Sequence, residues 1–139
     1  YIAVLDEVPD SMVPTLVAHS VINAHILYSS KEQGGAPTFE AYDDWLKNSF
    51  KKVTLRVNRK EFAKISELEC WLGHENTTLN GEKSCAVVLP MLDENRPNVL
   101  KYAKMWKPKD AQKQPTTGTN VPTQMRLDRG EVSTNEDSN

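Results

Sequence analysis

Along the first hundred residues the apolar positions change period repeatedly, and each change marks an element. Tyr1 to Leu5 is a short unbroken apolar run that stops at Asp6-Glu7-Val8-Pro9, the pattern of a buried strand and its exit loop. Asp10 or Ser11 offers a helix cap, and Pro14 falls in the first turn, where its missing N–H is tolerated. Val13, Val17, Val21, Ala24 and Tyr28 then recur at spacings of three and four, making one apolar helix face that ends at Gly34-Gly35. Phe39 to Phe50 predicts a second helix, with Phe39, Tyr42, Trp45 and Leu46 as its apolar members. Lys51 to Asn58 alternates, with Val53, Leu55 and Val57 on one side and Thr54, Arg56 and Asn58 on the other, which is a half-buried strand. Helical spacing returns from Arg59 to Leu68 through Phe62, Ile65 and Leu68. Cys70-Trp71-Leu72 predicts a short strand before the polar loop Gly73 to Lys83. Ser84 to Leu92 is a strongly apolar strand with Val87 expected deep in the sheet, and Asn95 to Tyr102 is a last helix.

This order, β-α-α-β-α-β-β-α, predicts an α/β fold: a single mixed β-sheet of about four strands with helices on both faces. The pattern fades after Trp106, where Pro108, Pro115 and Pro122, a Thr-Thr-Gly-Thr-Asn stretch and a polar end follow without another aromatic residue. Such a segment buries too little apolar surface to offset its ordering entropy, so the expected division is a domain over 1–107 and an extended polar tail over 108–139. Within the tail Val121, Met125 and Leu127 could dock on a protein partner or on a second copy of the body, as in a homodimer.

Composition narrows the classes of function. The chain has 139 residues, 38% of them apolar, and a formal net charge of −2, which suits one domain and excludes a strongly basic nucleic-acid binder while allowing a local basic face. No apolar run approaches the roughly 18 residues of a membrane span, and no basic leader opens the chain, so neither a membrane partner nor a secretory signal is expected. Two cysteines, Cys70 and Cys85, are too few for a disulfide framework and fit a reduced, cytoplasmic setting as small core residues.

Candidate chemistry is sparse. His19 and His25 are six apart and share no helix face, and neither cysteine has zinc-ligand spacing to His74, so no metal or other cofactor is expected. The glycines form no phosphate-binding loop, and the serines sit in no nucleophile elbow. Charge is the stronger signal. Lys47, Lys51, Lys52, Arg56, Arg59, Lys60 and Lys64 crowd one stretch, Lys101, Lys104, Lys107 and Lys109 another. Lys51, Lys52, Arg56 and Arg59 are the candidate phosphate contacts, with Trp71, Tyr102 or Trp106 as stacking surfaces. Asp43, Asp44, Glu61, Glu67 and Glu69 are the carboxylates available to balance them.

Three stretches resemble the type II peptidyl-tRNA hydrolases: the strand Ile2-Ala3-Val4-Leu5-Asp6 with its helix Leu16 to Val21, the strand Lys51 to Val57 behind a basic pair, and the loop Gly73 to Leu79 before the apolar strand Cys85 to Leu89. The resemblance spans 1–107. It implies that family's α/β fold, a peptidyl-tRNA ester as substrate, and RNA, tRNA above all, as partner. Where the family's helix reads K-x-A-A-Q-x-x-H, this chain places Thr15 at the lysine, His19 at the glutamine and Ile22 at the histidine. The family's loop aspartate falls on Gly73, and its threonine is kept as Thr77.

By that resemblance Thr15, His19 and Thr77 are the candidate catalytic residues, with His74 and Glu75 as assistants to a His19 base. Thr15 and Gly73 supply neither the cation nor the carboxylate of the family. The first expectation is therefore a binding protein on this fold, without the hydrolase activity, gripping RNA, a nucleotide or a protein partner. A divergent peptidyl-tRNA hydrolase and an accessory factor, viral and aimed at a host component, stay open as alternatives.

Overall fold

The computed structural model describes residues 1–109, and the expectations for Val121, Met125 and Leu127 fall outside the described residues. At its centre lies β1 (Ile2–Leu5), the apolar opening run, with all four residues buried. It runs parallel to β2 (Thr54–Val57), with Ile2 opposite Thr54 and Leu5 opposite Val57. On its other side it runs antiparallel to β4 (Cys85–Val88), with Ile2 opposite Val87 and Val4 opposite Cys85. β3 (Cys70–Gly73) pairs antiparallel with β4, and β5 (Lys104–Met105) pairs antiparallel with β2. The sheet is mixed, in the order β3-β4-β1-β2-β5. The residues Tyr1–Lys107 make one compact unit.

Alternation along β1 divides the core between two faces. Ile2, Val4 and Cys85 pack under Val13 and Leu16 of α1 (Val13–Tyr28). Ala3, Leu55, Val57, Ala86 and Val88 pack under Ile65 of α4 (Arg59–Ile65) and Leu100 of α5 (Asn98–Lys101). A one-turn helix, α2 (Lys31–Gly34), links α1 to α3 (Ala36–Asn48), and Gly35 between them has a φ of 90° that favours glycine. Tyr42 of α3 packs with Ala24 and Tyr28 of α1. Helices therefore cover both faces, as the pattern predicts.

Five details differ from the sequence expectation. The sheet has five strands rather than about four, because β5 is two exposed residues held by main-chain pairing, with Trp106 N donating to Thr54 O at 2.8 Å. Neither Asp10 nor Ser11 caps α1: Asp10–Met12 forms a short 3-10 turn, and Met12 precedes the helix without a side-chain cap. The buried face of α1 is Val13, Leu16, Ser20, Ala24 and Tyr28, with Val17 and Val21 half-buried beside it. The final helix shrinks to Asn98–Lys101, because Pro97 holds Arg96 in extended backbone and splits off the turn Asp93–Asn95. Val87 is half-buried rather than deep, since its side chain faces α1 and α3 across a partly open space.

The α4 start is legible in both sequence and structure. Asn58 accepts from Glu61 N and the Glu61 carboxylate accepts from Asn58 N, both at 2.8 Å, a complete capping box. Among the described residues no helix is long and apolar enough to cross a membrane.

Candidate functional site

The carboxyl ends of β1 and β3 and the start of β4 lie at one end of the sheet, where the sequence-predicted catalytic residues fall. There the α1 helix and the loop after β3 bring His19 Nδ1 to 3.9 Å from Glu75 Oε2, too long for a hydrogen bond, with the imidazole 58% exposed. His74 does not join them, because its Nδ1 faces Lys83 Nζ at 3.1 Å. Thr15 and Thr77 are both exposed. Gly73 is buried, and a Cβ built on it would lie 2.0 Å from Ser20 Oγ. That position has no room for a carboxylate. Burial pushes the Cys85 thiol up to about 11, with the Ser20 hydroxyl pulling the other way, and burial also raises Cys70. Neither cysteine is poised as a thiolate nucleophile. Among the described residues no group of three or more His, Cys, Asp or Glu could hold a metal ion.

The four candidate phosphate contacts divide into two kinds. Arg56, alternating onto the α1 face of β2, donates through Nη2 to Asp10 Oδ1 at 3.2 Å and to Lys107 O, and its guanidinium lies over the Trp106 ring. Arg59, exposed at the start of α4, grips Glu7 and Glu82 at once, with its shortest contacts at 2.7 and 2.6 Å. Both arginines are thus spent on tying the chain to itself. No carboxylate among the described residues forms a salt bridge with Lys51 or Lys52.

The Arg59 clamp sets a pH dependence. Its hydrogen bonds hold the Glu7 and Glu82 carboxyls below the ordinary Glu value of 4.5. A lowered carboxylate pKa contributes stability above the unfolded value and loses it as pH falls through the folded one. The melting temperature should therefore decline below about pH 4.5, and Arg59→Gln should flatten that decline. A thermal melt series from pH 7 to pH 3 on both proteins measures the difference, and parallel curves would show that the clamp does not contribute.

Lys51 and Lys52 stand at the other end of the sheet, on the lip of a cleft of about 130 Å³. Val21, Ala24 and Tyr28 of α1, Tyr42 and Trp45 of α3 and Val87 of β4 wall it. The segment Ser49 to Val53 forms one lip; Pro90, Met91 and Asp93 contribute to the other. The first lip is built around Trp45: its carbonyl accepts from Phe50 N at 2.7 Å, and its indole donates to Lys51 O at 2.8 Å. Phe50 consequently sits at a φ of 59°, unusual for a non-glycine residue, with its ring exposed. Tyr28, Tyr42, Trp45 and Phe50 form a chain of rings with successive centroids 5.4, 5.3 and 5.3 Å apart. Lys52 Nζ lies 3.2 Å from the Phe50 ring centroid and 5.3 Å from that of Trp45.

The back of the cleft is chemically fixed. The Tyr28 hydroxyl donates to Val87 O at 2.7 Å, and burial pushes its pKa up. Tyr42 is raised by burial as well and shares a hydrogen bond with His25 Nδ1 at 3.0 Å. Both phenols are neutral at physiological pH, so Tyr28 and Tyr42 add no charge to the wall. Sequence reasoning assigned Tyr28, Tyr42 and Trp45 to apolar helix faces and did not see the cleft. The available signal was the aromatic series Phe39, Tyr42 and Trp45 running into the basic pair Lys51-Lys52. No family model matches the chain, and no curated protein or solved structure matches it either.

Proposed function

We propose that this protein is a non-catalytic binding module on a fold like that of the type II peptidyl-tRNA hydrolases, and that its aromatic cleft holds a nucleotide, free or as one unit of RNA such as tRNA. The observation that carries this reading is the pair Lys51 and Lys52, in no salt bridge among the described residues, on the lip of a cleft walled by Tyr42 and Trp45. Aromatic walls stack on a base whatever its sequence, while ammonium groups at the lip meet the phosphate. The mixed sheet, with β1 between a parallel and an antiparallel neighbour, supports the family likeness.

Titration of the protein with short single-stranded RNA, followed by tryptophan fluorescence, tests the reading. Two phosphate contacts predict a slope of about −1.4 in log K against log salt concentration, since each contact to a single strand contributes roughly −0.7. The double variant Lys51→Glu, Lys52→Glu should lose at least tenfold in affinity, while Arg59→Gln should retain it. RNA affinity indifferent to salt and to the lysine variant would overturn the proposal.

A second reading rests on His19 beside Glu75, an imidazole near a carboxylate that resembles a general base and its orienting partner. In the resembling family a lysine and an aspartate would stabilise charge at the ester, and Thr15 and Gly73 replace them here. Removing one oxyanion donor alone typically costs about 10² to 10³ in rate. Release of peptide from peptidyl-tRNA by the purified protein is accordingly expected to be absent. Robust turnover that disappears in His19→Ala would instead make the protein a divergent hydrolase.

A further inference from the structure

We infer that the cleft selects a pyrimidine ring over a purine, and cytosine over uracil; this rests on the nucleotide reading above. Size supplies the first preference. A cavity of about 150 Å³ lined by apolar side chains is filled by a single benzene ring. At about 130 Å³ this cleft takes one six-membered ring between Tyr42, Trp45 and the aliphatic wall, and a fused bicycle must project into the opening.

Charge placement supplies the second preference. The two lips come from different parts of the chain and carry opposite signs. Lys51 and Lys52 follow α3, and Asp93 opens the turn after β4. Asp93 forms no salt bridge among the described residues, although Arg96 is close enough to feel its charge. A ring with its phosphate on the lysine side presents its far edge to the carboxylate. Cytosine offers an exocyclic amine there, a donor that an aspartate accepts from, whereas uracil offers a carbonyl oxygen that a carboxylate repels. The neutral phenols of Tyr28 and Tyr42 have their hydroxyls engaged by Val87 O and His25, so the charged lip is left to discriminate.

The test is calorimetric titration of the full chain with CMP, UMP, AMP and GMP in one buffer at low salt, repeated on Asp93→Asn. Asp93 is exposed, so the variant is expected to fold, and circular dichroism checks it. CMP should bind at least fivefold tighter than UMP and tenfold tighter than AMP or GMP. Asp93→Asn should bring CMP within twofold of UMP, by weakening CMP and by relieving the repulsion of the uracil carbonyl so that UMP binds tighter than to the parent. Equal binding of all four nucleotides, or a purine preference, would overturn the selectivity while leaving the nucleotide reading intact. A CMP preference unaltered in Asp93→Asn would overturn the role of Asp93. Binding of none of the four, alone or within short RNA, would remove both.

Discussion

Ala3→Asp is expected to leave the protein unfolded at 25 °C. Ala3 is fully buried in the middle of the central strand, paired with Leu55 on one side and Ala86 on the other. Its face of the sheet is closed by Val57, Ile65, Val88 and Leu100, so an introduced carboxylate would be set among apolar side chains there. An unpaired buried charge costs several kcal/mol even after local relaxation, and a domain of this size has only about 5 to 15 kcal/mol in hand. Extra side-chain volume in a filled core adds to the loss. Val87→Asp, by contrast, should stay folded, because Val87 is half-buried at the cleft wall, where a carboxylate can reach water. Far-UV circular dichroism and urea titration of the two variants measure the contrast. A cooperative, parent-like transition for Ala3→Asp would show that β1 is not the centre of the fold.

That contrast also shows which parts of the structure local pattern encodes. The alternation through Leu55 and Val57 and the start of a helix at Arg59 are properties of neighbouring residues, and both stand in the structure where the sequence places them. The ends of α1 are not, since neither Asp10 nor Ser11 caps it and it stops at Tyr28 rather than at Gly34-Gly35, and its buried face is not either. Ser20 is polar by type, yet it is fully buried, its hydroxyl donating to Leu16 O at 2.7 Å. What admits it is a glycine on another element. β5 has no pattern to detect, since Lys104 and Met105 are both exposed and are held by β2 and by the burial of Trp106.

Site residues follow the same division. Arg56 and Arg59 read as free cations because their carboxylate partners, Asp10 and Glu7, lie 46 and 52 residues away along the chain. Tyr42 and Trp45 read as core because their helix pattern is that of core residues. The cleft they wall arises from the gap between two loops, Ser49 to Val53 and Pro90 to Asp93, whose spacing no local pattern specifies. Lys51 and Lys52 were visible as a pair, while their setting was not.

Gly73→Ala should lower stability by about 3 kcal/mol or more, beyond the usual range for a single added methyl group in a core. At a few degrees per kcal/mol for a domain of this size, the melting temperature should drop by roughly 10 °C. The reason is steric rather than conformational. Gly73 ends β3 in ordinary strand geometry, but a Cβ there would lie 2.0 Å from Ser20 Oγ and 2.8 Å from Ser20 Cβ. Both obstacles belong to a helix residue with no exposed side to swing towards, since Ser20 is fully buried. Relief therefore requires α1 to move off the sheet, which opens its contacts with β3 and β4 together. The compensating change is specific. Ser20→Ala removes only the hydroxyl and leaves the 2.8 Å clash, whereas Ser20→Gly leaves Ser20's Cα position at 3.4 Å as the nearest obstacle. Ser20→Gly alone costs about 1 kcal/mol as a glycine inside a helix, so the double variant Ser20→Gly, Gly73→Ala should melt above Gly73→Ala and below the parent. Thermal melts of the four proteins form a double-mutant cycle whose coupling term is the clash itself. Additive losses in that cycle would mean that α1 does not ride on Gly73, and the close packing of helix on strand that holds His19 beside Glu75 would lose its basis.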